Sequence, residues 1–231
     1  MAIHMETRDQ VGLLTLDRPE KAHAYDRRHL EAMAAALDDL DPSVRVLVVH
    51  STGSGAFCAG ADLDEMSQAE PEQALDLYSQ RVFTALAHHA VVSIAVVQGA
   101  AIAGGFELAL ACDLRILGPL ARFALPETSL GIIPSAGGTT RLTRMVGPAR
   151  AKEVILGGRV LDAEAALDLG LGWEIVVDPL DRALELARHV SERDPVALRL
   201  AKQIIDRGED ASSLEAERVA EALLYSRKQK R

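Results

Sequence analysis

The chain has 231 residues, 48% of them hydrophobic and 26% charged, enough to bury a full core and most simply organised as one domain. A formal net charge of −9 at pH 7 and an isoelectric point near 5.3 argue against nucleic acid or an anionic membrane surface as partner, since both require a basic face. Cys58 and Cys112 stand far apart and join no Cys/His cluster, so neither a disulfide framework nor a metal site is expected, and a reducing, cytoplasmic setting follows. The N-terminus shows no apolar stretch behind positive charges, and no apolar run reaches the roughly 20 residues of a membrane span.

Taken in order, residues 11–16 (VGLLTL) read as a short strand and Asp17-Arg18-Pro19-Glu20 as a turn. Asp26 is placed to cap an amphipathic helix over residues 27–40, which Asp41-Pro42 ends. Residues 44–50 (VRVLVVH) form a nearly continuous β-branched run, the pattern of a strand covered on both faces. The loop that follows, residues 51–63, is rich in Gly, Ala and Ser, and loops at the carboxyl ends of strands are where open α/β folds bind ligands. It contains neither GxxxxGK[ST] nor GxGxxG, so the phosphate-cradling motifs of nucleotide sites are absent.

A helix is expected over residues 70–87, closed by His88 and His89, and a buried strand over 91–97. Next comes Gly104-Gly105-Phe106-Glu107, two glycines after a strand and before the apolar helical run Leu108 to Cys112. Such a turn leaves backbone N–H groups uncovered at a helix start, which suits an anionic oxygen. Glu107 could be an ordinary first-turn acid favoured by the helix dipole. However, Gly104 supplies no side chain for a capping box, and the apolar surroundings should raise the pKa of the carboxyl, which makes it general acid/base material. A second acid, Glu127, follows Pro126, and Gly137-Gly138 leads into a helix over 139–146. One more helix–turn–strand passage ends near 177, and from 180 onwards the chain is helical, with breaks at Asp194-Pro195 and Gly208 and a basic, solvated tail over 227–231. The residues themselves thus indicate a mixed α/β core over 1–178 and a helical C-terminal region over 179–231.

Three features now line up: Ala59-Gly60-Ala61-Asp62, Gly104-Gly105-Phe106-Glu107, and Pro126-Glu127 followed by Gly131-Ile132-Ile133-Pro134-Ser135-Ala136-Gly137-Gly138-Thr139. Together with Asp17-Arg18-Pro19 and the stretch 166–173, they resemble the enoyl-CoA hydratase/isomerase (crotonase) superfamily, and within it the enoyl-CoA hydratases. The resemblance implies a spiral of ββα turns forming stacked small sheets, with a C-terminal helical region that assembles homotrimers or dimers of trimers. It implies an acyl-CoA thioester substrate whose carbonyl oxygen accepts the backbone N–H groups of Ala61 and Gly104, an oxyanion arrangement. Hydratases of the family carry Glu at both positions matching Glu107 and Glu127. Hydration needs a base for the water that attacks Cβ and an acid for Cα; the sequence assigns Glu107 to the water and Glu127 to Cα, and leaves the reverse open.

Ala59, Asp62, Leu63, Lys21 and Ala22 fall, by motif position, where the family contacts the CoA moiety. No metal or separate cofactor is implied, because CoA enters as part of the substrate. Other chemistries of the fold stay open: isomerase, decarboxylase, hydrolase, methylglutaconyl-type hydratase, or a non-enzymatic RNA-binding homologue. The chain departs from the family pattern at His23, where Asn is usual, at Tyr25, where Leu is usual, and at Ser135, where Gly is common; its C-terminal region also reads as shortened.

Overall fold

The structure is a computed structural model that describes residues 2–53, 55–66, 76–208 and 211–228. Ten strands form two sheets among these residues. The larger sheet takes β1 (Ala2–Arg8), β2 (Val11–Asp17), β3 (Val46–Ser51), β5 (Val92–Val97), β7 (Leu114–Leu117) and β10 (Glu174–Ile175), in the order β1-β2-β3-β5-β7-β10. The smaller takes β4 (Ala56–Cys58), β6 (Ala100–Ile102), β8 (Arg122–Ala124) and β9 (Leu161–Asp162) in that order. Only the β1–β2 and β8–β9 pairs are antiparallel. A strand of the large sheet is followed by a strand of the small one at β3–β4, β5–β6 and β7–β8, and α-helices intervene, so the chain spirals through repeated ββα turns.

The corners between sheets are tight. A Cβ at Gly99 would enter the backbone of Gly55, and one at Gly118 would meet the backbone of Gln98, so the turns need residues without side chains. The Gln98 amide stitches the first corner by donating to Ser51 Oγ (2.5 Å) and Ala56 O (3.0 Å).

The continuous apolar runs have the physical basis read from them. Val46 and Val48 join Ile94, Val96 and Ile116 on one face of the large sheet, where Ala183, Leu186, Ala187 and Val190 of the helix Pro179–Ser191 cover them. Leu47 and Val49 face the opposite way, into a core shared with Phe57, Phe83, Phe106 and Phe123. Each of these strands is therefore buried on both sides.

Asp26 caps the helix Arg27–Asp38 as expected, its carboxylate accepting from the N–H of His29 at 3.0 Å. The helix expected over 70–87 is seen as Tyr78–Ala87, and residues 67–75 lie outside the described part. The helix expected over 139–146 is seen as the first part of Gly138–Ile155, which is two helical stretches meeting at a kink: Gly147, with φ 76° and ψ 162°, is non-helical and ends the first, and the second starts at Pro148. Pro179–Ser191, Pro195–Arg207 and Ala211–Lys228 form the helical C-terminus, and Asp194 caps the second of them through the N–H groups of Val196 and Ala197. Lys202 anchors that helix to the sheet, donating to the Asp113 carboxylate (2.8 Å) and to Val91 O (3.1 Å).

Candidate active site

The short helix Gly104–Ala111 is buried along its whole length. Its two leading glycines are sterically required: a Cβ on Gly104 would overlap the hydroxyl of Tyr25, and one on Gly105 would overlap the carbonyl of Cys58. Glu107, one turn in, is only 3% exposed. Its Oε1 accepts the N–H of Ala136 at 2.8 Å and the N–H of Gly138 at 2.7 Å. A Cβ at Gly138 would stand 2.9 Å from that same oxygen, so glycine is what permits the approach. Burial pushes the Glu107 carboxyl up to about 7; the Gly138 N–H opposes the rise, the charge of Glu127 adds to it, and the Ala136 N–H and Arg141 oppose it.

The loop that holds Glu107 is itself held. Arg141 donates to Ala136 O (2.8 Å) and to Thr84 Oγ1 (3.1 Å), and Gln80 donates to Ser135 O (2.7 Å). The helix Tyr78–Ala87 thus fixes the loop from one side and the helix Gly138–Ile155 from the other. Arg141 and Gln80 carried no signal that sequence reasoning used. Only the Gly-Gly pair marks the place, and the charged residue four positions on reads as an ordinary helical arginine.

Glu127 opens the short 3₁₀ helix Glu127–Leu130 behind Pro126 and is 5% exposed. Burial raises its pKa. Its Oε2 is buried with no hydrogen-bond partner among the described residues, whereas Glu107 has two backbone donors. The charge of Glu127 adds to the raised pKa of Glu107, and both carboxyls act on the buried phenol of Tyr25.

The backbone beside Glu107 is arranged around Tyr25. The Tyr25 N–H donates to Gly60 O, and the Asp62 N–H donates to Tyr25 O, both at 2.8 Å, which makes Ala61 the partner in a parallel bridge. In that geometry the N–H of Ala61 itself turns away from Tyr25. A Cβ at Gly60, which takes φ 93°, would come within 3.0 Å of the amide nitrogen of Gly104. Gly104 is the first residue of its helix, where an N–H has no intrahelical acceptor. Residues 60–61 and the free end of the helix are therefore packed together.

The other predicted residues occupy one loop and its neighbour. The Ala59 N–H donates to Ala22 O at 3.0 Å, and Ala22 and His23 both take positive φ, 48° and 58°. His23 is buried, with Nδ1 accepting the N–H of Arg18 at 3.1 Å. Asp62 is buried too: its carboxylate meets Arg18 at 2.7 Å and Lys21 at 3.7 Å and accepts the Asp64 N–H at 3.0 Å. Asp62 thus ties its own loop to residues 18–21. Lys21 is half-exposed and also pairs with Asp64, while Leu63 is 68% exposed. At the other end of the chain, Arg227 reaches Asp194 at 3.4 Å, and residues 229–231 of the basic tail are outside the described part.

A cavity of about 890 Å³ lies at the far end of the Gly104–Ala111 helix, against Cys112, Trp173, His189 and Lys202, and includes neither Glu107 nor Glu127. Among the described residues, no group of three His, Cys, Asp or Glu side chains is placed to hold a metal ion.

The profile of the family described as enoyl-CoA hydratase/isomerase matches residues 6–231. The chain is 40% identical over 213 residues to "Probable enoyl-CoA hydratase 2, mitochondrial" of Arabidopsis thaliana, covering 88% of this chain and 71% of that protein. It is 37% identical over 216 residues to "Methylglutaconyl-CoA hydratase, mitochondrial" of Mus musculus, covering 89% and 69%. A crystal structure of a putative enoyl-CoA hydratase from Thermobifida fusca YX in complex with CoA superposes with a TM-score of 0.90 at 32% identity, covering 99% of this chain and 95% of that one. With the ββα spiral, the two buried glutamates and a family match over nearly the whole length, the chain belongs to the enoyl-CoA hydratase/isomerase family and has the crotonase fold.

Proposed function

We propose that the protein adds water to a 2-enoyl-CoA thioester to give the 3-hydroxyacyl-CoA. The observation that carries this reading is the pair of buried carboxyls, Glu107 and Glu127, near enough for the charge of one to shift the other. The thioester oxygen accepts the N–H groups of Ala61 and Gly104, which stabilise the negative charge that develops on it as Cβ is attacked. Glu107, whose Oε1 is held by two N–H donors that favour the ionised form, takes the proton from the attacking water. Glu127, with an unpartnered buried oxygen that favours the neutral form, gives its proton to Cα. One proton then sits on Glu107 and one has left Glu127, and transfer between the two carboxyls restores the starting state. A pair sharing protons in this way titrates as a unit.

No separate cofactor takes part; CoA belongs to the substrate. Lys21, Ala22, Ala59 and Leu63 form the CoA side, and Asp62 serves it by shaping the loop through Arg18 and Lys21. The exposed side chains Val219 and Leu223, one turn apart on the last helix, provide an apolar face for assembly into a homotrimer or dimer of trimers. None of the described helices is long and apolar enough to cross a membrane. Cys58 and Cys112, both free and buried, suit the reducing, cytoplasmic setting proposed for the enzyme.

The test is a panel of straight-chain and branched 2-enoyl-CoA thioesters, followed by loss of the conjugated thioester absorbance and by product identification. Formation of 3-hydroxyacyl-CoA supports the reading. A shifted double bond, free acid or decarboxylated product assigns another chemistry of the fold, and an unreactive panel refutes the hydratase reading.

A further inference from the structure

The proposed oxyanion site contains a polar group that the scheme above does not use. Tyr25 is 7% exposed, its ring set edge-on against Phe83 with centroids 5.6 Å apart. Its main chain brackets Ala61 through the bonds to Gly60 and Asp62. Its side chain crosses to the other donor: the hydroxyl, Cζ and Cε1 are the atoms that a Cβ on Gly104 would meet. One residue therefore frames Ala61 with its backbone and lays its phenol against Gly104. The hydroxyl lies beside the side chain of Ser79, in the field of both Glu107 and Glu127, and burial and those carboxyls hold the phenol firmly in its neutral, proton-donating form.

Taking the hydratase reading as its basis, we infer that the Tyr25 hydroxyl is a third hydrogen-bond donor to the thioester oxygen, beside the N–H groups of Ala61 and Gly104. Ser79 donates to the phenol oxygen, and the phenol donates to the thioester, so the two hydroxyls form a short polarised chain. A donor aimed at the oxygen acts chiefly where negative charge has developed, so it belongs to the transition state more than to the bound substrate. Tyr25 is then a catalytic residue, not a packing one, and its one functional atom can be removed without disturbing the ring.

The experiment is Tyr25→Phe, with Ser79→Ala as the second variant, assayed with crotonyl-CoA. Thermal unfolding confirms that the ring still packs. Loss of one oxyanion donor costs about 100-fold to 1,000-fold in the strongest cases, and for a third donor the expected fall in kcat is about 10-fold or more with KM nearly unchanged. Ser79→Ala is expected to lose less than Tyr25→Phe. A bound thioester with an extended conjugated acyl chain gives a second reading: polarisation of its carbonyl red-shifts its absorbance, and the shift should shrink in Tyr25→Phe. If the wild-type protein hydrates crotonyl-CoA and Tyr25→Phe matches it in kcat with the same spectrum, the third donor is refuted. If Tyr25→Phe lowers kcat but leaves the red shift intact, the hydroxyl acts elsewhere, which also refutes it. A wild-type protein that neither hydrates nor red-shifts the thioester overturns the hydratase reading itself, and with it the basis for a donor at Tyr25.

Discussion

Glu107→Gln changes one atom of the proposed base. The glutamine carbonyl can take the place of Oε1 and accept the same two N–H bonds from Ala136 and Gly138, so the loop keeps its anchor. The side chain can no longer ionise. Loss of one general base costs about 100-fold to 10,000-fold in kcat, or about 3 to 5 kcal/mol of barrier. The same substitution should act on stability with a definite sign. Glu107 is raised from 4.5 to about 7 in the folded protein, so between these values the native state binds more protons than the unfolded chain and loses stability as pH rises. At 1.36 kcal/mol per decade, the loss between about pH 5 and about pH 8 is about 2 to 3 kcal/mol. The glutamine variant lacks that term, so its stability relative to wild type should improve by this amount over the same range while turnover collapses. Urea unfolding at the two pH values and crotonyl-CoA turnover measure both. Near-normal turnover, or a stability difference independent of pH, would refute the assignment.

Further expectations concern the pH profile and the residues around the pair. In wild type, kcat/KM should rise through about pH 7 as Glu107 ionises; activity that declines steadily through pH 7 contradicts its role as the base. Arg141→Gln removes a positive charge that holds Glu107 down and loosens the loop at Ala136, so the rising limb should move to higher pH and kcat should drop about 10-fold. Gly104→Ala has no room beside Tyr25 and should cost about 1 to 3 kcal/mol of stability together with nearly all activity, read by thermal unfolding and the hydration assay. Lys202→Ala strands the Asp113 carboxylate. Because Asp113 keeps the N–H and hydroxyl of Ser93, the loss in urea unfolding should be about 2 to 3 kcal/mol, below the range for a fully buried pair.

The features legible in the sequence were those carried by local pattern. The runs around Val46 and Val92 announced buried strands, Asp26 announced a cap, and Gly104-Gly105 announced a helix start with uncovered N–H groups; that neither glycine has room for a side chain depends on Tyr25 and Cys58, which are distant in sequence. Strands of three residues such as Ala56–Cys58 and Ala100–Ile102 show no period, because they are too short for alternation to repeat. Ala2–Arg8 was missed because it is an edge strand with polar residues on its open face, and only its pairing with Val11–Asp17 defines it. At the site, the burial of Glu107 followed from its apolar helix. That of Glu127 was legible only through the family resemblance, since a loop acid after a proline shows nothing local. Asp62 illustrates the limit most clearly: its partner Arg18 comes from a distant turn, and a contact of that kind leaves no trace in spacing.

The central claim is that Glu107 and Glu127 add water across a conjugated thioester. Crotonyl-CoA incubated with the protein in heavy-oxygen water tests it most directly, with the product analysed by mass spectrometry. The mechanism predicts 3-hydroxybutyryl-CoA carrying one heavy oxygen at Cβ, formed by wild type and reduced about 100-fold or more in Glu107→Gln and Glu127→Gln. Substrate recovered unlabelled, or label found only in a free carboxylic acid, would contradict it.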